Sequence, residues 1–247
     1  AADRRKGELR MCWGVEASAG MMLVGAAGAV VTWRRGDAPA IPVTLAFYAL
    51  MEGLQLAGYM VIDQCGSTAN QTVTVLSMLH IAVQPLILNA FIMALVRADL
   101  TVGQRRMVYG LSALASAIIL VQLLPVAELG TCQPGVAVCA PQWCTVSGDW
   151  HLGWEVPYNG LFVPLERALH VTFGFPSYFL AIFVLPLFYG AWRFVLFHIL
   201  VGPVLSNKLT SSANEAPAIW CLFAIAILLV ALFPPIRRLF EVRHAAV

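Results

Sequence analysis

The chain has 247 residues, of which 60% are hydrophobic and 11% charged, and its formal net charge is +2. A soluble globular domain carries about 25% charged residues, so composition excludes an ordinary water-soluble fold, and so small a net charge gives no basis for a nucleic-acid partner. Several apolar runs reach the roughly 17–25 residues that a helix needs to cross a hydrocarbon core, and they are continuous rather than alternating, which points to helices rather than a barrel.

In chain order, the runs predict seven crossings, at 13–33, 41–62, 72–96, 107–127, 163–189, 191–207 and 217–236. Gly14, Gly20, Gly25 and Gly28 in the first suit close helix packing. That run is expected to be an anchor rather than a cleaved signal. RRGDAPA, DQCGSTANQ and RADLTVGQRR join the first four runs. A long connector, 128–160, follows, then a tight turn at Tyr189-Gly190, and NKLTSSANEAP leads into the last run. The expected fold class is all-α, an integral membrane bundle over 13–236 between a tail 1–12 and a tail 237–247, with no second domain and no internal repeat.

Polar residues inside these runs are costly and mark candidate functional positions. Tyr48, Glu52, Gln55 and Tyr59 recur at i, i+4, i+7 and i+11, on one face of the second helix. Ser77, His80 and Gln84 make a similar stripe in the third, beside Pro85, which loosens the backbone. Glu166, His170, Phe173 and Ser177 repeat the pattern in the fifth, and the sixth adds His198. Lipid satisfies none of these groups, so each stripe is expected to face the bundle interior or a wet cavity. Asn89, about half a turn from His80, is expected to bond a different neighbour.

Arginine and lysine near helix ends set orientation. Arg34, Arg35, Arg97, Arg105, Arg106, Arg193, Arg237, Arg238 and Arg243 fall on one side, nine of the 15 basic residues. The other side has Arg4, Arg5, Lys6, Arg10, Arg167 and Lys208. The loops therefore predict an outer N-terminus and a cytoplasmic C-terminus. Cys12, Cys65, Cys132, Cys139 and Cys144 then all lie at or beyond outer helix ends, where an oxidising compartment keeps disulfides. One or two disulfides pinning the long connector are the first reading of the cysteines, with metal ligation and free thiols as alternatives. Cys221 alone falls within a crossing.

At about 1.5 Å per residue, Glu52, His80, His170 and His198 come to one level roughly 10–15 Å below the outer helix ends. Glu16, Asp63 and Glu166 lie above them, and Asp149, His151 and Glu155 occupy the connector over the mouth of this polar funnel. Imidazoles with a carboxylate are the ligand set of zinc and non-haem iron. His80, His170 and Glu52, with His198 as a fourth, are thus candidate ligands of a divalent zinc or iron ion. Glu16, Glu166 and His151 are candidate acid–base or ligand-orienting groups. Tyr48, Gln55, Gln84, Ser77, Trp154 and Asp149 are candidate substrate contacts. A b-type haem between histidines of two helices reads the same residues differently, and plain interhelical hydrogen bonding is the structural reading. No HExxH signature occurs, and 217–236 has no lysine for a retinal Schiff base. Trp150, Trp154 and Tyr158 read as an interfacial aromatic belt.

Cys12-Trp13-Gly14 with Glu16 and Ser18, ALMEGLQ at 49–55, VIDQCGS at 61–67, LHIAVQP at 79–85 and GDWHLGWEVPYNG at 148–160 together resemble an uncharacterised family of polytopic membrane proteins, a domain of unknown function. The resemblance covers roughly residues 11–200 and points to Glu16, Glu52, His80 and His151. The helix count, and a serine one turn before a histidine (Ser77, His80), are also similar to the seven-helix membrane hydrolases of the alkaline ceramidase and adiponectin-receptor group. In that group the last helix has an HxxxH pair, whose place His170 and His198 would take here.

The expected function is a metal-dependent enzyme embedded in a bacterial inner membrane, a hydrolase before an oxidoreductase, acting on a lipid or other apolar substrate from the periplasmic or exterior side. Its expected partners are the lipid bilayer and that substrate. A non-catalytic haem or pigment protein, or a subunit of a larger membrane complex, is the second reading. A ligand sensor or transporter is the third.

Overall fold

A computed structural model gives the fold for residues 14–97, 99–172 and 174–241, with the backbone alone for 226–229 and 231. Cys12, Trp13 and Phe173, and the charged residues before Gly14 and beyond Glu241, lie outside the described residues.

The chain is mostly helical. Four long helices come first, α1 (Val15–Arg34), α2 (Ala40–Met60), α3 (Thr68–Leu95) and α4 (Val102–Gln122), each packed against the next. Three of them, α1, α2 and α3, are long and apolar enough to cross a membrane. Helix starts follow local capping. Ser67 accepts from the Asn70 backbone N–H at 3.2 Å, which begins α3 four residues before the expected 72. Thr101 and Gln104 form a reciprocal capping box, which draws GQRR into α4 and moves its start from 107 to 102. At its other end, Asn159 donates to the carbonyls of Val121 (2.7 Å) and Leu124 (3.0 Å) and so stops α4 before the expected 127.

The expected continuous helix 163–189 is not present. α5 (Val163–Leu169) ends where His170 turns left-handed, φ 54°, and a new start, α6 (Pro176–Phe179), follows Gly174 (φ 63°). The cause is local: Pro176 has no N–H to continue a helix and keeps Phe175 out of the helical region. From α6 the chain runs on as a π turn, 180–184, and a 3-10 turn, 185–189, to Gly190 at φ 81°. α7 (Trp192–Ile199), a second π turn at 200–204 and α8 (Leu205–Leu209) then form one helical run, and α9 (Ala216–Leu228) and α10 (Pro234–Arg237) are the last helices among the described residues. Pro176–Tyr189 and Ala216–Ile225 are apolar helical stretches shorter than the first three.

The connector also departs from an all-α reading. It holds an antiparallel hairpin, β1 (Cys144–Ser147) and β2 (Leu152–Glu155), in the register Cys144↔Glu155 to Ser147↔Leu152. Two disulfides pin it: Cys65–Cys144 ties β1 to the α2–α3 turn, and Cys132–Cys139 closes the segment before it. Asn70 fixes β1 further, accepting from the Thr145 N–H at 2.9 Å and donating to the Val61 and Thr145 carbonyls at 2.7 and 2.9 Å. Trp154 and Tyr158 are buried, 1% and 4% exposed, so they pack the inside of the connector and form no exposed belt. Burial, with the Glu166 carboxylate nearby, raises the Tyr158 hydroxyl above the ordinary phenol range.

At the opposite end of the bundle the arginines are tied down. Arg35 and Arg237 both engage Asp37, the latter at 3.1 Å. Arg97 meets Glu241 at 3.1 Å, and Arg193 donates to the Leu239 carbonyl at 3.2 Å.

Candidate functional site

The α2 face organises the interior. Tyr48, Glu52, Gln55 and Tyr59 are all buried, and a histidine from the connector docks on their upper end. His151, fully buried, places Nδ1 2.5 Å from the Tyr59 hydroxyl and Nε2 2.6 Å from Gln55 Oε1. Gln55 Nε2 donates to the Ala218 carbonyl at 3.3 Å, which directs its oxygen at the ring. The pairing therefore runs one way: Tyr59 O–H donates to Nδ1, and Nε2–H donates to Gln55. The Leu152 backbone N–H reaches the same tyrosine hydroxyl. His151 is thus a plug in the top of the bundle with both ring nitrogens engaged.

The plug is held from behind by Glu215. Its carboxylate, fully buried, accepts from the backbone N–H groups of Asp149 (3.1 Å), Trp150 (2.5 Å) and His151 (2.5 Å), and from the Thr210 hydroxyl (2.6 Å). A Cβ at position 148 would come within 2.5 Å of the Glu215 carboxyl carbon, so Gly148 is required by this close approach. Sequence reading missed Glu215. It lies in a polar loop, and the backbone N–H groups it binds are 64–66 residues away.

The other candidates are spread apart. Both Glu52 oxygens are buried without a hydrogen-bond partner, with Ser18 of α1 and Cys221 of α9 as polar neighbours. His80 Nε2–H donates to the Phe47 carbonyl at 2.8 Å, its ring stacks on Phe47 at 3.7 Å, and Nδ1 has no partner. His198 Nε2 accepts from the Trp220 indole N–H at 3.2 Å. Because the helix 163–189 is broken, His170 is exposed on a surface turn instead of facing the interior. Glu166 is buried and accepts from the Gly174 N–H at 3.0 Å, across that break. Glu16 and Asp149 are exposed, and the Ser77 hydroxyl bonds its own helix at Val73, 2.9 Å away. Asn89 donates to Pro85 and Ala181 and accepts from Tyr189. Among the described residues no three His, Cys, Asp or Glu side chains are grouped to hold a metal ion. The expected set of His80, His170, Glu52 and His198 is not brought together.

A cavity of about 190 Å³ lies below the connector, between α2, α3, α6, α8 and α9. Met78, Ile81, Phe175, Phe179, Pro217 and Trp220 supply much of its apolar wall, and Tyr48, Gln84, Tyr178 and Cys221 supply a polar corner. The Tyr178 hydroxyl donates to Gln84 Oε1, and Gln84 Nε2 reaches Cys221 Sγ at 3.9 Å. Phe179 and Asn207 are exposed lining residues, so the cavity opens sideways between α6 and α8. The two π turns, 180–184 and 200–204, flank this opening, the kind of helix irregularity found at functional sites. Of the candidate substrate contacts, Tyr48 and Gln84 line the cavity, Gln55 bonds the His151 plug, and Trp154 is packed inside the connector.

The profile of a family of unknown function, DUF5765, matches residues 16–241, and the chain belongs to that family. No curated protein and no solved structure matches the chain.

Proposed function

Starting from membership of a family that assigns no activity, we propose that this chain is an integral membrane protein that binds a small apolar or lipid molecule in the cavity between α2, α3, α6, α8 and α9. The observation that carries the reading is the cavity itself. An apolar pocket with a few convergent polar groups is the usual form of a small-molecule site, and about 190 Å³ exceeds the ~150 Å³ of a dry cavity that accepts benzene.

In this reading the remaining helical stretches 102–122, 176–189, 192–209 and 216–232 cross the membrane with the first three helices, making seven. The hairpin faces the oxidising side, outside a bacterial inner membrane. Two features support that orientation: the disulfides lie at the hairpin end, and Arg35, Arg97, Arg193 and Arg237 gather at the other. The sideways opening favours an occupant that enters from lipid, the property expected of a lipid-binding or sensing protein.

Cys221 tests the reading, because it lines the cavity as a free thiol. In native membranes an uncharged, membrane-permeant maleimide is expected to modify Cys221, and Ala213→Phe, which fills the cavity rim, is expected to suppress that reaction. Equal labelling of Cys221 with and without Ala213→Phe would refute a cavity reached from the lipid. With a cysteine introduced on the exposed hairpin turn, Asp149→Cys, labelling by an impermeant maleimide from the cytoplasmic side alone would refute the orientation.

A further inference from the structure

We infer that the occupant is a neutral lipid bearing a carbonyl group, seated with its carbonyl oxygen against Tyr48 and Gln84 and its chain leaving past Phe179. The inference rests on the binding reading above and adds the chemistry of the ligand.

The first step is charge. Among the described residues, none that lines the cavity is Asp, Glu, His, Lys or Arg. A carboxylate or phosphate head placed there would be desolvated without a counter-charge, which costs far more than a hydrogen bond returns. The head group is therefore uncharged.

The second step is the balance of donors and acceptors in the polar corner. The Tyr48, Tyr178 and Cys221 side chains lie within electrostatic reach of one another. The Tyr178 O–H is spent on Gln84 Oε1, and one Gln84 N–H is turned to Cys221 Sγ. The second Gln84 N–H has no acceptor, and no hydrogen bond to the Tyr48 hydroxyl occurs among the described residues, although Tyr48 is only 3% exposed. Both residues line the cavity, so these two donors are open to an acceptor on an occupant. One carbonyl oxygen, with two lone pairs, satisfies both at once.

The third step is shape. The residues of the polar corner are buried, whereas Phe179 and Asn207 in the same lining are exposed. About 190 Å³ accommodates a ring or a short ester head with a few methylenes, so a longer chain must pass through the opening into the bilayer. Phe175, Phe179 and Trp220 give that passage aromatic walls.

The test is competition in nanodiscs against a photoreactive monoacylglycerol, with the crosslink mapped by mass spectrometry. Unlabelled monoacylglycerol and a short-tailed benzoquinone, the two sources of a neutral carbonyl, are expected to compete at least about tenfold better than a matched alkane or a fatty carboxylate, a ratio equivalent to one hydrogen-bond-sized difference. Whichever of the two competes better identifies the source. Tyr48→Phe removes one hydroxyl without changing volume and is expected to weaken the carbonyl competitors about five- to tenfold while leaving the alkane unchanged. If alkane and carbonyl lipids compete equally, or Tyr48→Phe changes neither, the carbonyl assignment is overturned although the cavity still binds. If no crosslink maps to cavity residues and Ala213→Phe has no effect, the binding reading itself has failed.

Discussion

Glu215→Gln isolates the interaction that docks the connector. Glu215 accepts two backbone N–H groups at Oε1 and one more, with the Thr210 hydroxyl, at Oε2. The amide keeps the shape of the side chain and one of its two oxygens. With that oxygen toward Trp150 and His151, its NH2 confronts the Asp149 N–H, and the Thr210 hydroxyl must rotate to accept. One charge-assisted bond, worth about 1.5–3 kcal/mol, is lost, and the two that survive weaken to neutral ones. The sum is about 2–4 kcal/mol, concentrated where the hairpin meets the 210–215 loop. Hydrogen exchange of the detergent-solubilised protein reads this directly. The Trp150 and His151 amides are expected to exchange roughly 30- to several-hundred-fold faster, at about tenfold per 1.4 kcal/mol, while α1 to α3 keep their protection. Unchanged exchange at 149–151, or an equal increase in every helix, would refute the clamp.

Three further outcomes follow from the same geometry. His151→Ala is expected to lower stability by about 2–5 kcal/mol, because Tyr59 and Gln55 lose the imidazole between them inside the bundle. Thermal unfolding checks this, and an unaltered midpoint would contradict the structural role of His151 as a plug. Cys65→Ser opens a loop closed over 79 residues and is expected to cost about 2–5 kcal/mol. Reduction should then lower its midpoint less than the parent's, because only Cys132–Cys139 is left to reduce, and a parent-like midpoint would contradict this. Glu52→Gln is expected to leave stability within about 1 kcal/mol, since neither carboxyl oxygen has a donor to lose. A larger drop would mean that the carboxyl has a partner such as a bound cation.

What the sequence made legible divides along the chain. α1 to α4 were legible because each is a continuous apolar run of 20 residues or more, and the polar stripe of α2 showed in the spacing of Tyr48, Glu52, Gln55 and Tyr59. The second half was not, because Gly174 and Pro176 break an apolar run whose periodicity continues through the break. Hydrophobicity reports burial, whereas the one N–H that a proline lacks decides continuity. The hairpin was hidden for another reason. Its strands are four residues each, and their positions are set by Asn70, Glu215 and Cys65, all more than 60 residues distant. The same distance hid the plug: nothing local to His151 reveals that Gln55 and Tyr59 receive it. The metal-site expectation rested on equal helix depth, which says nothing about the direction in which a side chain points. His170 shows the consequence, lying at the expected chain position on an exposed turn.

The most direct test of the central claim is native mass spectrometry of the protein released from its own membranes. The account predicts one bound species of lipid mass, close to one per chain, which Ala213→Phe removes without loss of the folded charge-state distribution. Identical spectra for the two proteins, with no bound species or with the same ones, would contradict it.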